Sequence, residues 1–394
     1  MPDATCSQLQ KRPAWIEIDE AILRQNYRLI FQDKPSHVGV AAVVKDNAYG
    51  HGAILAARIA TEIGAKYLVT VTLDEALELR SAGFKTPILL LGQRQPSELS
   101  YCVEHHLTCC VHDPFTVSQL AEEARRQHRR VPIHVKINTG MNRYGVRWDE
   151  APSLLTTILT NPSLELEGVM SHFSMSDELD KSFARFQLGN FQSVLCWIDS
   201  QNLKIPYRHH CNSGGFLDIP EAHFDMVRIG LLPLGVYPSS SVRRIPGLMP
   251  VMSVKIKVAA LQNLNPGDVV GYGMRYTASS PRRIAVLPLG YGDGFPRVRN
   301  EGHVLIRGQK APLVGGVSMD AITVDVSDIP NVQLWDEVVI MGKQNQNEIT
   351  VHDLASLRHS VSYDQLCAWR NRLPRIIIHS ENNSQRLVPQ PEGA

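Results

Sequence analysis

The sequence predicts an α/β protein, a (β/α)8 TIM-type barrel followed by a C-terminal antiparallel β domain, and three observations predict it. From about Val38 to Arg228, eight short apolar runs alternate with amphipathic helical stretches. After Tyr237 that texture stops, and PSSSVRRIPGLMP carries the serine, proline and arginine content of a linker. The remainder of the chain is rich in strands separated by Asn-Pro-Gly-Asp and other glycine-rich turns. At 394 residues the chain exceeds the usual size of one domain, which also argues for two.

The eight predicted barrel strands are 38–45, 66–72, 87–92, 107–112, 131–137, 164–172, 206–212 and 224–230. Between them lie stretches such as AILAARIATEIGA and FTVSQLAEEARRQ, with apolar residues at helical spacing and charges between. A doubly wound open sheet is the alternative reading of the same alternation. Beyond residue 250, MSVKIKVAAL, RRIAVLPLG, HVLIRG, AITVDVSD and DEVVIMG read as antiparallel strands. The expected domains are thus a barrel over 14–240 and a β domain over 250–380. WIEID at 15–19 alternates like a strand and is free to join the β domain, and the polar tail 381–394 is expected to be disordered.

Composition excludes several classes. The formal net charge is +1, with 43% hydrophobic and 20% charged residues, so nothing suggests an electrostatic grip on nucleic acid or a membrane. No apolar run reaches the roughly 18 residues of a membrane-spanning helix. The N-terminal MPDATCSQLQKRPAW lacks the apolar core of a secretory signal, so a cytoplasmic protein is expected. The seven cysteines show neither CxxC pairs nor metal spacing and read as free thiols, with no metal site expected. His105, His106 and His209 read as buried or surface histidines, not ligands.

Reactive groups collect where a barrel places its active site, at the C-terminal ends of the strands. The first strand finishes at Lys45 after VGVAAVV, where desolvation favours a neutral, nucleophilic amine suited to Schiff-base chemistry with an aldehyde. A lysine snorkelling to the rim fits that position equally well. Tyr49 comes four residues later in the turn-rich DNAYGHG. Strand five and its loop offer Lys136 and Arg143, strand six ends at His172, and strand eight holds Arg228. The loops after strands seven and eight offer Asn212-Ser213-Gly214-Gly215 and Gly230, a permissive backbone and hydroxyl set for phosphate. A Ser-Gly-Gly loop alone is usually only a turn. Joined to a strand-end lysine across the barrel mouth, it describes a site for pyridoxal 5'-phosphate (PLP).

VVKDNAYGHG closely resembles the PLP-attachment motif of alanine racemases. The likeness continues through KINTGMNRYG, SHFS, CNSGG, VVGYGMRYTA, PLGYGDGFPR, VSMD and SYDQLCAWRNRLPR, in the family's order from Trp15 to about Arg375. The resemblance implies a homodimeric PLP enzyme that interconverts L- and D-amino acids through two bases. It makes Lys45 the Schiff-base lysine and one base, and Tyr272, from the other subunit's β domain, the opposing base. It makes Arg228 the donor to the pyridine nitrogen and His172 the ring beside the cofactor that connects to that arginine. Tyr49, Asn212, Ser213, Gly230 and Tyr363 match phosphate-holding positions. Arg143, the backbone at Met319 and Tyr291 match substrate contacts, and Lys136 matches a lysine that is often carbamylated.

The chain departs from the family pattern in places. Arg228-Ile229-Gly230 stands where Arg-Pro-Gly is usual, Gly316 stands where arginine is frequent, and SMSDELD replaces an alanine-rich segment after His172. Either the substrate corridor is widened towards serine, lysine or arginine, or another cation such as Arg275 or Arg297 fills the gap and alanine stays preferred. A PLP decarboxylase of the related barrel-plus-β type would lack the GYG tyrosine and the Ser-Met-Asp landmark. A non-enzymatic PLP-binding regulator usually consists of the barrel alone.

Overall fold

The structure, a computed structural model, describes residues 12–380, so the tail 381–394 and most of the N-terminal segment lie outside the described residues. The backbone divides into two compact units, one of residues 23–249 and one in which residues up to Ile22 join residues from Pro250 onward.

The first unit is the barrel. Its strands are Gly39–Val43, Tyr67–Thr70, Ile88–Leu90, Thr108–Val111, Val131–Asn138, Leu164–Met170, Tyr207–His209 and Met226–Ile229. All pair in parallel, with the last strand beside the first. Asp225 N–H donates to Arg208 O and Arg228 N–H to Cys211 O, each at 3.0 Å, which ties the eighth strand back to the seventh and nearly closes the ring. The open-sheet alternative is thereby ruled out. Tyr67–Thr70, Ile88–Leu90, Thr108–Val111 and Met226–Ile229 are buried at every position, as expected of strands covered on both faces. Helix starts are fixed locally. Thr72 and Glu75 form a reciprocal capping box, and Asp113 caps its helix through Thr116 N–H at 2.8 Å, each such cap contributing about 1 kcal/mol.

The stretch 238–249 is not a free linker. Val242 and Ile245 are buried in a core cluster with Val227 and Leu232, and Arg243 forms a two-point ion pair with Asp33 at 2.7 and 2.9 Å. Its polar composition hides two apolar anchors and one charge that has a dedicated partner.

The second unit is built on β-structure. Met252–Lys257 alternates buried and half-buried residues and pairs antiparallel with Glu337–Gln344 and with Ala14–Asp19. The N-terminal strand therefore belongs to this unit, and it pairs in parallel with Arg375–Ile378 on its other side. A second sheet runs Ala260–Leu264, Arg282–Leu287, Ile322–Asp325. MSVKIKVAAL thus splits at Val258 and Ala259 into strands of two different sheets. A short hairpin, Val269–Val270 with Tyr276–Thr277, carries Tyr272 at its turn.

Candidate active site

The first barrel strand ends at Val43, two residues short of Lys45. Lys45 instead opens a turn in which Asp46, Asn47, Ala48 and Tyr49 all take φ between 50° and 52°, the left-handed region. Left-handed residues with a Cβ cost roughly 1–2 kcal/mol each, so the surroundings must hold the turn in place. They do so through backbone groups: Ala48 N–H donates to Val44 O at 2.9 Å, Gly50 N–H to Asp46 O at 3.0 Å, and Gly52 N–H to Asn47 O at 2.9 Å. Glu75 accepts from Asp46 N–H at 2.6 Å, and Asn47 Oδ1 accepts from Ala53 N–H at 2.8 Å. The turn swings Tyr49 back so that Lys45 Nζ lies 5.9 Å from its ring centre.

Tyr49 reaches across the barrel mouth to the loops after strands seven and eight. A Cβ on Gly230 would fall 2.7 Å from Tyr49 Oη, so only glycine leaves this approach open. Ser213 Oγ lies 3.4 Å from Gly230 N–H, and Asn212 Oδ1 caps the short helix 213–218 through Gly215 N–H at 2.9 Å. Tyr49, Asn212, Ser213 and Gly230 are therefore one cluster.

Arg228 is 3% exposed and points into the barrel interior. Its Nη1 donates to His209 Nδ1 at 3.0 Å and His209 O at 3.3 Å. Its Nη2 donates to Ser171 O at 2.7 Å, His172 Nδ1 at 2.9 Å and His210 O at 3.1 Å. Among the described residues Nε takes no partner. Burial pushes the guanidinium down to about 10, still cationic at neutral pH. Because an arginine can only donate, Nδ1 of both His172 and His209 must accept, which puts each ring proton on Nε2. His209 Nε2–H then donates to His134 Nδ1 at 2.8 Å, leaving the His134 proton on Nε2, 3.9 Å from Glu167. Burial, reinforced by Arg228, pushes His134 down to about 3 and holds His172 and His209 well below the ordinary imidazole range. His209, read from sequence as a bystander, and His134 are thus part of the site's support. The available signal for His134 was its place two residues before Lys136 on one strand, which puts both on the same face.

Lys136 is 6% exposed, with its Nζ 5.8 Å from the Tyr144 ring centre. Burial lowers its ammonium below the ordinary range, Cys110 opposes that, and the charges of Arg228, Arg143 and Lys45 add to it. Arg143, itself exposed, is near enough to act on both Lys136 and His172.

The remaining candidates lie on the β unit. Tyr272 is 84% exposed, between Gly271 and Gly273, both at φ 72°. Tyr291 N–H donates to Ser318 O at 3.1 Å and Gly292 N–H to Met319 O at 2.9 Å, which sets Tyr291 beside the Ser-Met-Asp turn. Among the described residues the Met319 N–H takes no backbone partner. Gly316 has an ordinary φ, and a Cβ there would meet Arg299 Cγ at 3.7 Å and nothing else within 4 Å, neither Arg275 nor Arg297. Tyr363 is the second residue of the short helix Ser362–Ala368 and is exposed.

A family model described as "Alanine racemase, N-terminal domain" matches residues 18–238, and "Alanine racemase, C-terminal domain" matches residues 251–377. The chain belongs to the alanine racemase family. It is 38% identical to an alanine racemase of Syntrophobacter fumaroxidans, over 91% of this chain and 96% of that one. Among solved structures, an alanine racemase from Clostridium difficile aligns with a TM-score of 0.90 at 30% identity, covering 94% of this chain and 97% of its own. A histidine racemase from Leuconostoc mesenteroides aligns with a TM-score of 0.84 at 27% identity, covering 94% and 99%. Membership of the alanine racemase family makes the chain an amino-acid racemase. Among the described residues no helix is long and apolar enough to cross a membrane, and no group of three or more metal-ligating side chains is gathered.

Proposed function

We propose that the chain is a PLP-dependent racemase that interconverts L- and D-alanine in a homodimer, with Lys45 and Tyr272 of the partner subunit as its two bases. The single observation that carries this reading is Arg228. A guanidinium whose terminal nitrogens are all spent on protein acceptors, and whose Nε is not, fits a ring-nitrogen acceptor supplied from outside. The cradle fits the other end of PLP. The approach that a Cβ on Gly230 would fill, beside Tyr49 Oη and Ser213 Oγ, suits a phosphate. Asn212, Ser213, Tyr49, Gly230 and Tyr363 would hold that phosphate, and Lys45 would hold the cofactor covalently.

Bound PLP supplies the electron sink that makes the Cα–H of an amino acid removable. A cation at the ring nitrogen keeps that nitrogen unprotonated, which moderates the sink and discourages side reactions. Inversion needs one proton carrier on each face of Cα. Lys45 would serve the D side, and Tyr272 of the partner subunit the L side, each transfer worth about 10²–10⁴-fold. The exposure of Tyr272 in the single chain supports a tyrosine that finds its working environment on a second copy. Tyrosine takes up a proton only as its phenolate, and His172, neutral with its proton on Nε2, has a donor with which to stabilise one on Tyr272. The Met319 N–H and Arg143 suit the substrate carboxylate. A Lys136 amine deprived of charge is suited to carbamylation, which would give Arg143 an anionic neighbour.

Gly316 favours a second reading, a broader racemase that also takes serine, lysine or arginine, because a side chain is sterically allowed there and none is present. The test for both is one chiral assay on L-alanine, L-serine, L-lysine and L-arginine, with borohydride reduction and peptide mapping. D-alanine formation and label on Lys45 are expected. Amine release without the D-enantiomer would mean a decarboxylase, and label elsewhere would remove the site assignment.

A further inference from the structure

The segment Ser174–Lys181, between His172 and the long helix Ser182–Ser200, is irregular yet tied down at several points. Ser174 N–H donates to Gln187 Oε1 at 2.8 Å. Lys181 Nζ donates to Ser176 O at 2.8 Å and pairs with Asp218 at 2.9 Å, while Ser239 Oγ donates to Asp177 O. Its middle lies against the start of the helix 213–218. A Cβ on Gly214 would fall 2.8 Å from Ser176 Oγ and 3.2 Å from Asp177 N.

Ser176 is 1% exposed, and its hydroxyl lies 2.7 Å from Asn212 Oδ1. The same Oδ1 lies 2.9 Å from Gly215 N–H. A backbone N–H can only donate, so the atom facing Gly215 is the amide oxygen, and Ser176 must then donate to it as well. With its oxygen held by two donors on two different segments, the amide cannot flip or swing. Its NH₂ group takes no partner among the described residues and stays available to an acceptor.

We propose that Ser176 is a positioning residue for the anion cradle, holding the Asn212 amide so that its N–H groups face the cofactor phosphate. The inference rests on the PLP reading of the site. A merely structural serine would tie the 174–181 segment to the helix and affect stability alone.

PLP and pyridoxal, which shares the ring and aldehyde but has no phosphate, separate the two. Both are titrated into the apo forms of the full chain as wild type, Ser176→Ala and Ser176→Cys, with thermal unfolding of each apoprotein alongside. Loss of one such hydrogen bond predicts that Ser176→Ala weakens PLP about 5- to 10-fold while pyridoxal changes less than about twofold. Ser176→Cys keeps the bulk with a weaker donor, so it falls between and serves if the alanine variant fails to fold. In an Asn212→Ala background, Ser176→Ala has no further effect on PLP affinity. Equal losses for PLP and pyridoxal, an unchanged PLP affinity, or the full loss persisting without Asn212 would each overturn the proposal. Wild-type protein that binds no PLP at all would remove the cofactor reading itself, and that control distinguishes the two failures.

Discussion

The two units prepare their polar groups in opposite ways. On the barrel unit, Arg228 is 3% exposed and meets five acceptors, His172 and His209 have their tautomers dictated by it, and Tyr49 sits against a glycine that admits nothing larger. On the β unit, Tyr272 is 84% exposed on a hairpin turn flanked by glycines, and a Cβ on Gly316 would meet no more than an ordinary contact with Arg299 Cγ at 3.7 Å. The difference teaches where each set gets its precision. The barrel set is preorganised by its own hydrogen bonds before any ligand arrives. The β-unit set is mixed: backbone bonds to the Ser-Met-Asp turn fix Tyr291, while Tyr272 stands exposed on its hairpin turn, as its proposed work against a second subunit requires.

Substitutions that test this contrast should have effects graded by how much of the local network they remove. Arg228→Leu should be the most damaging. It strands two imidazole acceptors and the carbonyls of Ser171 and His210, while His209 O keeps its bond from Ser171 N–H, a loss of about 3–5 kcal/mol, read as a fall in unfolding free energy together with loss of PLP binding. An Arg228→Leu protein of wild-type stability would mean that the interior network is ornamental.

Gly230→Ala comes next. A methyl 2.7 Å from Tyr49 Oη must displace that ring, at a cost of about 1–3 kcal/mol and at least a tenfold loss of PLP affinity by titration.

The third test uses pH. His134, His172, His209 and His210 are all held below their ordinary range by burial, with Arg228 contributing in each case. Below the unfolded value of about 6.5, the unfolded chain binds protons that the folded chain refuses. This contribution is therefore complete above pH ~6.5 and is lost as pH falls, at up to about 1.4 kcal/mol per pH unit for each histidine. His210 lies stacked on Phe173 at 3.9 Å, and neither ring nitrogen has a partner among the described residues. His210→Phe should flatten the slope of unfolding free energy between pH 6 and 5 by about one such increment. An unchanged slope would put the proton uptake elsewhere. On the β unit, burial raises Asp293, but bonds from Arg12 and Gly290 N–H overcome it and leave the carboxyl below its usual range. Its share of stability is present above the unfolded value of about 3.9 and is lost as pH falls through the folded one. Acid thus acts on the barrel histidines at a higher pH than on Asp293.

Gly316→Ala should do least. With Arg299 Cγ at 3.7 Å its only neighbour, stability should stay within about 0.5 kcal/mol and alanine racemisation within about twofold. A large effect would show that the β-unit set is as tightly built as the barrel set.

The barrel was legible in the sequence because several of its strands, such as Tyr67–Thr70, Ile88–Leu90 and Thr108–Val111, are buried at every position and read as short apolar runs between amphipathic helices. The β unit was legible only in part. Gln309–Pro312 and Asn347–Ile349 are short and largely polar, and their partners, not their patterns, make them strands, whereas Arg375–Ile378 carries three isoleucines whose β propensity was there to read. Lys45, Tyr49, His172, Asn212 and Arg228 could be named as candidates because they close strands or fill a motif. The left-handed turn 46–49 could not, since nothing in Asp-Asn-Ala-Tyr prescribes four consecutive positive φ values. His209 was hidden by chemistry, because a histidine that supports an arginine has no spacing signature of the kind that marks a metal ligand. Ser176 was visible only as a departure from a familiar segment, and its bond to Asn212 joins residues 36 apart.

The proposed completion of one site by Lys45 and Tyr272 from two chains is tested directly by subunit mixing. Lys45→Ala and Tyr272→Ala chains, each inactive alone, are dissociated together, allowed to exchange, and assayed for D-alanine. Random pairing gives about half heterodimers with one intact site each, so activity should recover to about one quarter of wild type. No recovery in a mixture whose exchange is demonstrated by mass would contradict the account, placing Tyr272 in the same chain's site or outside catalysis altogether.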